Sequence, residues 1–272
     1  MAIKGMDISV YQGNVSVANF QKAKKAGIQF VILRLGYTGS SKYECKMDSV
    51  FENNYKNAIA AGLPVGIYYY SLANSKSEGK REANFVVKKL AGKKITWPVY
   101  IDMEDSAHRQ YKCSKATLAQ VCDGWCEVIA AAGYTPGVYA STSWFNNKIG
   151  TIAEPHTKWV AQYYKVCQYK GAYDIWQYSS SEGVPGISSR TDVNWAYKNL
   201  GKEPLPTQPV EQNSGKSYGG TFPKLPARRY FKRGDTGKQV KYLQLFLNWY
   251  GNYGLVIDQC IGSKTIAAVE SF

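Results

Sequence analysis

Short apolar runs alternate with amphipathic segments along the first 200 residues of the chain. Runs rich in Val, Ile, Leu and aromatic side chains predict β-strands, because this composition fits a buried sheet. The predicted strands cover residues 3–8, 30–35, 65–70, 99–103, 137–140, 159–163, 174–178 and 191–195. Apolar residues at helical spacing predict helices over residues 17–26, 50–61, 78–90 and 114–132.

The order of these elements predicts the fold class. A strand, helix, strand order that repeats through the first half requires parallel strands joined by right-handed crossovers. Eight strands in this pattern favour an α/β fold, a (β/α) barrel. After residue 140 the segments between strands become shorter, and no clear helical pattern separates the last strands. We therefore expect an irregular barrel with a reduced helix count in its second half.

Proline is concentrated in one segment, residues 201–226. Five of the ten prolines of the chain lie there, together with Gly, Ser and Asn residues. This composition favours an extended backbone and cannot build a core, which is typical of a linker between domains. The chain is therefore predicted to divide into a barrel over residues 1–200, a linker over 201–226 and a second domain over 227–272.

Two helical patterns predict that the second domain is a small all-α module. One stripe of the first helix carries Val240, Leu243, Leu247 and Tyr250. The second helix starts at Ser263 and carries, at about one-turn spacing, Ile266, Val269 and Phe272. A module of this size is near the lower limit for folding unaided.

The net charge is strongly positive. The chain has 34 Lys and Arg residues against 20 Asp and Glu, a formal charge of +14, so its surface should attract polyanions. We find no zinc-finger spacing, no Gly-rich phosphate loop and no contiguous Lys/Arg run, and therefore expect no nucleic acid partner. Because the excess charge is spread along the chain, it suits a large anionic matrix, such as the teichoic acids of a cell wall.

Cysteine and histidine usage does not indicate a metal site. The six cysteines form no CxxC pair, and only His108 and His156 could join them as ligands. We expect reduced thiols, no metal and no cofactor.

Neither a membrane span nor a secretory signal is expected. One uncharged apolar stretch, residues 58–73, is interrupted by two glycines and a proline, and it is shorter than the roughly 18 apolar residues that a spanning helix needs. The N-terminus lacks the charged start, apolar stretch and cleavage site of a secretory signal. We therefore expect synthesis in the cytoplasm and no membrane insertion.

Four acidic residues fall at or beside predicted strand ends. Asp7 ends the first strand, Asp102 and Glu104 end the fourth, and Asp192 lies beside the last. Functional groups of (β/α) barrels collect at the carboxyl ends of the strands, so these acids should converge on one mouth. The two-residue period of a strand places Asp102 and Glu104 on one face. Clustering of carboxylates raises some of their pKa values, which keeps a carboxylic acid protonated near neutral pH for general acid catalysis.

Paired carboxylates without a Ser–His or Cys–His pair favour glycosidic bond cleavage. In that reaction one carboxyl group protonates the leaving oxygen while another stabilises the oxocarbenium-like centre. The alternative use of four carboxylates is a Ca²⁺ or Mg²⁺ site. A set of aromatic residues on or near strand ends favours a saccharide, because flat rings suit the apolar faces of sugars; the set is Tyr68, Tyr70, Tyr139, Tyr163, Trp176 and Tyr178.

Arg34 interrupts an otherwise apolar predicted strand, FVILRLG. A buried guanidinium group without a partner is costly, so we expect Arg34 to pair with a carboxylate of the mouth and hold it ionised. Arg34 therefore joins the aromatic set as a predicted substrate-binding residue.

These segments resemble a known family. GMDISVYQG, FVILRLGY, PVGIYYYS, PVYIDMED, GVYAS, DIWQYSS and DVNWAY, in this order over about residues 2–198, are similar to glycoside hydrolase family 25, the lysozymes of the Chalaropsis type. The resemblance implies an N-acetylmuramidase that cleaves the β-1,4 bond between N-acetylmuramic acid and N-acetylglucosamine in peptidoglycan.

The resemblance also implies roles for the four acids. Glu104 would be the general acid, and Asp102 would orient the acetamido group of the substrate or stabilise the charge of the transition state. Asp7 and Asp192 would complete the acidic mouth. Asp105, on the opposite face from Glu104, is expected to be a solvated or capping carboxylate.

The second domain resembles the three-helix peptidoglycan-binding domain, type 1. The similar segments are RGDTGKQVKYLQLFLN and IGSKTIAAVESF, whereas Gln259-Cys260-Ile261 departs from the usual Asp-Gly-aromatic pattern. Because the sequence stops in mid-helix at Phe272, we expect a truncated module that docks on the barrel or pairs with a second chain.

Two other functions are consistent with the same residues. A chitinase-like glycosidase would also use an Asp-x-Glu strand end, and a protein with a spent barrel would bind the wall without cleaving it. In the leading hypothesis the enzyme acts on the bacterial cell wall after release from the cytoplasm, either as a phage endolysin or as a bacterial autolysin.

Overall fold

A computed structural model describes residues 2–201, 218–226, 230–251 and 255–270. They form two compact units, one built from nearly all of residues 2–201 and the other mainly from the described residues after 217. Within these ranges no helix combines the length and the apolar character that are needed to cross a membrane.

Nine strands of the first unit form one sheet. They are β1 (Ile3–Ile8), β2 (Phe30–Thr38), β3 (Cys45–Met47), β4 (Val65–Tyr70), β5 (Val99–Asp102), β6 (Pro136–Ser141), β7 (Thr157–Ala161), β8 (Ile175–Glu182) and β9 (Thr191–Ala196). All eight predicted strands are confirmed. They close into a barrel because β1 pairs with both β2 and β9. The three-residue β3 is an addition that pairs with the end of β2.

Helices are concentrated in the first half of the barrel, as predicted. This unit contains α1 (Val17–Lys25), α2 (Phe51–Ala60), α3 (Lys76–Leu90), α4 (Lys115–Ala131) and α5 (Thr142–Asn147). The six-residue α5 was not predicted, because fewer than two turns carry too little periodicity to recognise. Its start is capped by Ser141, whose hydroxyl accepts a hydrogen bond from the backbone N–H of Trp144.

One strand of the closed barrel differs in direction from the others. β1, β2 and β4 to β8 pair with one another in parallel, whereas β9 is antiparallel to both β8 and β1. The parallel pairing inferred from the first half of the barrel therefore does not extend to β9. A parallel connection needs about a dozen residues or more, and the short segment between β8 and β9 allows only a hairpin. The start of β9, rather than its end, consequently lies at the mouth.

Apolar residues form two layers, one between the sheet and the helices and one inside the barrel. Outward-facing residues such as Met6, Ile101 and Met103 pack in the layer beneath the helices. The inner layer is aromatic and is centred on Trp159, whose ring lies 5.2 Å from that of Tyr100 and 4.5 Å from that of Tyr139 between centroids. These rings fill the interior, so polar chemistry is confined to the mouth.

The second unit contains α6 (Lys238–Gly251) and α7 (Ser263–Glu270). The predicted stripe is buried at Val240, Leu243 and Leu247, which share a core with residues that include Leu255 and Ile261. Phe272 and residues 202–217 of the predicted linker lie outside the described residues.

The last nine residues of the predicted linker are described and contact this unit. The Tyr218 ring lies 5.3 Å from that of Phe246 and 4.9 Å from that of Trp249, and Phe222 also contacts Phe246. Two aromatic side chains thus give part of a Pro/Gly-rich segment apolar surface to pack. The division at residues 200 and 226 remains a prediction.

Candidate active site

A cavity of about 760 Å³ opens at the end of the barrel where the parallel strands terminate. All four carboxylates singled out from the sequence line it, namely Asp7, Asp102, Glu104 and Asp192. Arg34, Tyr68 and Tyr70 line the same cavity.

Three strands bring the acids together. Asp7 on β1 lies directly opposite Asp192 on the antiparallel β9, so their side chains share one face of the sheet. Asp102 is the last residue of β5, and Glu104 follows two residues later. Between them Met103 is fully buried in the outer layer, which agrees with the two-residue period.

Two buried amides hold the Asp7 carboxylate. Its Oδ2 accepts hydrogen bonds from Gln177 Nε2 at 3.0 Å and from Asn194 Nδ2 at 2.8 Å. The same Gln177 nitrogen lies 3.4 Å from Asp192 Oδ2 and therefore bridges the acidic pair. The Asn194 amide is oriented by Trp159, whose indole N–H donates to Asn194 Oδ1 at 2.8 Å. The aromatic interior thus fixes the amides that position the acids.

Burial raises the pKa of every carboxyl group in the cluster, and repulsion by neighbouring acids adds to the rise for Asp7, Asp102 and Glu104. Burial raises the pKa of Asp7 and of Asp102 well above the usual range, and neighbouring acidic charges add to both shifts. Burial raises the pKa of Asp192 to about 6, although a hydrogen bond with Asp7 opposes the rise. Glu104 reaches solvent inside the cavity, but the walls displace enough water to raise its pKa, and the charge of Asp192 raises it further. Such acids retain protons to a higher pH than free carboxyl groups do.

One oxygen of Asp102 has no internal partner. Asp102 is almost fully buried, and its Oδ1 accepts no hydrogen bond from the residues that the structure describes. A buried acceptor without a donor costs free energy, so this oxygen is suited to receive a donor from a bound molecule.

Arg34 has a partner that the sequence did not indicate. Its Nε donates to Asp48 Oδ2 at 2.7 Å, not to one of the four predicted acids. Asp48 follows β3 and also lines the cavity. Arg34 still acts on the cluster, because its charge opposes the rise in the pKa of Asp102.

The six predicted aromatic residues occupy three kinds of position. Tyr68 and Tyr70 line the cavity. Tyr139 lies deeper, in the aromatic interior, and its hydroxyl donates to Gln177 Oε1 at 2.9 Å. The half-exposed Tyr163 donates to the same oxygen at 3.0 Å, which places its ring beside the acids.

Trp176 and Tyr178 are not brought to the cavity. They flank Gln177 on β8, and because Gln177 points inward, both neighbours point outward. Trp176 donates to the carbonyl oxygen of Gln162 at 2.8 Å, and Tyr178 stacks on the outward-facing Trp195. The prediction that both residues bind substrate is therefore corrected, because nearness to a strand end does not determine which face of the strand a side chain occupies.

Asp105 is a capping carboxylate and is fully buried. Its oxygens accept hydrogen bonds from the backbone N–H groups of Ala107, His108, Arg109 and Gln110 at 2.7 to 3.1 Å. Burial alone would raise its pKa, but these donors and the His108 side chain outweigh burial and lower the pKa to about 2. The loop that follows Glu104 is thereby fixed.

Three residues of the site were not predicted from the sequence, namely Gln177, Asn194 and Asp48. A signal for the first two was present, since each is a polar residue at an inward position of a strand, two residues from another inward residue. Asp48 had no comparable signal, because it follows a three-residue strand that was not predicted.

Within the described ranges no group of three or more His, Cys, Asp or Glu residues is arranged to hold a metal ion. The six cysteines are free thiols, and Cys122 and Cys126 are fully buried among apolar residues of α4.

Comparison with known proteins adds family information to this geometry. The family model described as glycosyl hydrolases family 25 matches residues 6–187. The autolytic lysozyme of Clostridium acetobutylicum is 26% identical over 275 residues, covering 99% of this chain and 72% of the relative. Lysozyme M1 of Streptomyces globisporus is 27% identical over 205 residues, covering 71% of this chain and 67% of the relative.

A solved structure shares the barrel. The modular autolysin LytC of Streptococcus pneumoniae, in complex with a synthetic peptidoglycan ligand, matches with a TM-score of 0.63 at 26% sequence identity. The match covers 72% of this chain and 47% of LytC, so the chain spans about half the length of that protein.

Proposed function

The chain belongs to glycosyl hydrolase family 25, and from this premise we propose that it cleaves the β-1,4 bond between N-acetylmuramic acid and N-acetylglucosamine in bacterial peptidoglycan. Two similar proteins are lysozymes, and a similar structure contains a peptidoglycan ligand, which supports this substrate. The observation that carries the proposal is the single cavity that collects four carboxyl groups with raised pKa values.

In this proposal Glu104 is the general acid that protonates the oxygen of the leaving sugar. It lies just beyond the end of β5 and opens into the cavity, where a glycosidic oxygen can approach it. Because its pKa is raised, it keeps a proton at a pH where an exposed glutamate is ionised. General acid catalysis of this kind contributes about 10² to 10⁴ in rate.

Asp102 is proposed to bind the N-acetyl group of the substrate. Its unpartnered Oδ1 would accept a hydrogen bond from the acetamido N–H, which removes the cost of the buried acceptor. This contact would orient the acetamido group or stabilise the positive charge that develops at the anomeric carbon.

Asp7 and Asp192 are proposed to complete the acidic wall of the site. The Gln177 amide donates hydrogen bonds to both carboxyl groups, and these bonds stabilise the negative charge of whichever group is ionised. When one of the pair is ionised, its charge favours the oxocarbenium-like transition state.

Digestion of purified peptidoglycan tests the proposed reaction. We expect new reducing ends on muramic acid residues, identified after borohydride reduction and mass spectrometry of the soluble products. New free amino groups without reducing muramic acid would show a peptidase or amidase instead and would refute the assignment. The Glu104→Gln protein is the control for a contaminating hydrolase.

The two alternative functions give different results in the same assay. A chitinase-like enzyme would not require the lactyl group of muramic acid, which chitin lacks. It would therefore cleave chitin at a rate comparable to peptidoglycan. A wall-binding protein without activity would sediment with insoluble walls and release no soluble fragments. The presence of all four acids favours an active enzyme over the second alternative.

Wall association is the proposed role of the helical unit. Its resemblance to a peptidoglycan-binding domain and the net charge of +14 suggest binding to peptidoglycan and to anionic wall polymers after release of the enzyme from the cytoplasm. Co-sedimentation with walls before and after removal of teichoic acids tests both contributions. Sedimentation velocity over a range of protein concentrations tests self-association through this unit.

A further inference from the structure

Arg34 is an arginine fixed at the rim of the cavity. It lies on β2, where a bulge between Arg34 and Gly36 interrupts the pairing with β4. Such irregularities re-aim side chains at the ends of barrel strands. Arg34 lines the cavity, and only 13% of its side chain is exposed.

Three groups restrain the Arg34 guanidinium. Asp48 Oδ2 accepts the hydrogen bond from Nε, and the rings of Tyr11 and Tyr37 have their centroids 5.3 and 5.6 Å from the central carbon. Aromatic faces attract a cation and limit its rotation. Asp48 is itself held, because its oxygens accept backbone hydrogen bonds from Val10 at 3.0 Å and from Val50 at 3.1 Å.

The outer edge of the guanidinium has no protein partner in the part of the chain that the structure describes. Only Nε donates a hydrogen bond, which leaves Nη1 and Nη2 for a bound molecule. These two nitrogens form the planar fork that binds a carboxylate with two parallel hydrogen bonds. Since the fork is already oriented, little further ordering is needed on binding.

A second cation lines the same cavity. Arg190 precedes β9, its side chain is exposed, and no carboxylate of the described residues lies within ion-pair distance of it. Asp48 neutralises Arg34 locally, so Arg190 supplies the unbalanced positive charge of this rim. The cavity therefore combines an acidic cluster with a cationic rim.

We propose that Arg34, assisted by Arg190, binds the carboxylate carried on the O3 arm of the muramic acid residue. The inference rests on the proposed function and names the feature of the substrate that the site recognises. N-acetylglucosamine and N-acetylmuramic acid differ only by this lactyl arm, so a carboxylate site would distinguish peptidoglycan from chitin. The carboxylate is either that of the lactyl group in glycan without peptides or that of the attached stem peptide.

Chemical modification of the substrate tests the proposal without changing the protein. Glycan strands freed of peptides by an amidase, and strands that retain their peptides, are each compared with the same material after its carboxylates are converted to methylamides. We expect kcat/KM to fall about tenfold on modification. A fall with peptide-free strands identifies the lactyl carboxylate, and a fall only with peptide-bearing strands identifies the stem peptide. Equal kcat/KM on modified and unmodified strands of both kinds would overturn the proposal.

Variants of the two arginines test whether these residues cause the preference for unmodified strands. Arg34→Lys keeps the charge beside Asp48 but lacks the fork, and Arg190→Gln removes the exposed charge. We expect each variant to reduce the preference for unmodified strands to threefold or less. Lys88 is an exposed residue on α3 that does not line the cavity, so the Lys88→Gln variant should retain the full preference. An unchanged preference in both arginine variants would refute the assignment.

Equilibrium binding separates this inference from the proposed reaction. The Glu104→Gln protein is titrated with the same modified and unmodified strands, so the comparison does not depend on turnover. Tighter binding of unmodified strands supports the carboxylate site even if no muramic acid reducing ends are ever produced. Equal affinity would overturn the site while leaving the hydrolytic function to be judged by its own assay.

Discussion

Glu82 is a buried carboxyl group that the proposed reaction does not use. It lies on α3 and is fully buried. Its Oε1 accepts a hydrogen bond from the Thr38 hydroxyl at 2.6 Å, and its Oε2 accepts one from the Ser71 hydroxyl at 2.6 Å. These residues end β2 and follow β4, so Glu82 ties α3 to the strand ends beside the mouth. We predict that Glu82→Gln changes the pH dependence of barrel stability.

The magnitude follows from the pKa of Glu82. Burial raises this pKa from 4.5 to about 7, against hydrogen bonds from Ser71, Thr38 and Leu72 that lower it. The folded protein therefore holds this proton more tightly than the unfolded chain. Its contribution to stability is complete below about pH 4.5 and is lost as the pH rises through about 7. At roughly 1.4 kcal/mol per pH unit, the loss is about 3 kcal/mol.

Urea unfolding of the full chain at several pH values between 4.5 and 8 measures this contribution. Tryptophan fluorescence reports mainly on the barrel, because six of the seven tryptophans lie in the first 200 residues. The free energy of unfolding of the wild type should fall by about 3 kcal/mol relative to Glu82→Gln across this range. Glu52→Gln, which removes a carboxylate that is 61% exposed, should track the wild type. Parallel curves for the wild type and Glu82→Gln would refute the reasoning.

Four further predictions concern the site. Glu104→Gln should lower kcat by about 10² to 10⁴ without changing the unfolding midpoint, and retention of more than about a tenth of the activity would remove Glu104 from the acid role. Asp192→Asn should move the alkaline limb of the kcat/KM profile to lower pH, because the charge of Asp192 raises the pKa of Glu104; an unmoved limb contradicts this coupling. Gln177→Leu removes the donor to Asp7 and should destabilise the fold by about 1 to 3 kcal/mol in urea while lowering kcat; unchanged kcat would show that the amide does not position the acids. Asp105→Asn should destabilise the protein at neutral pH, and since the pKa of Asp105 is lowered to about 2, the wild type should lose this contribution only as the pH falls toward that value, which thermal unfolding at pH 7 and pH 2 checks.

The barrel could be predicted because its strands are buried on both faces. Such strands appear as short apolar runs, and the helices between the early strands carry a clear period. The direction of β9 could not be predicted from its own composition. The direction of a strand is set by the length of the preceding connection and by the pairing partners. The composition of a run such as Thr191–Ala196 is compatible with either direction.

The sequence predicted those parts of the candidate site that a single residue identifies. An acid that ends an apolar strand is conspicuous, as at Asp7 and Asp102. The groups that hold the acids are harder to predict, because Gln177 and Asn194 bind Asp7, which is distant from both in the sequence. The wrong prediction at Trp176 has a different cause, since nearness to a strand end is visible in the sequence whereas the face of β8 depends on the register of the strand.

The antiparallel β9 connects the fold to the chemistry of the site. Asp192 is the second residue of β9 and lies opposite Asp7 only because the strand starts at the mouth. A parallel strand of the same six residues would place Asp192 near the other end of the barrel, more than about 10 Å further away at roughly 3.4 Å per residue. Over that added distance its effect on the pKa of Glu104 would be largely lost. The reversal of one strand therefore gives the mouth its fourth carboxylate, whose charge adds to the effect of burial in raising the pKa of Glu104.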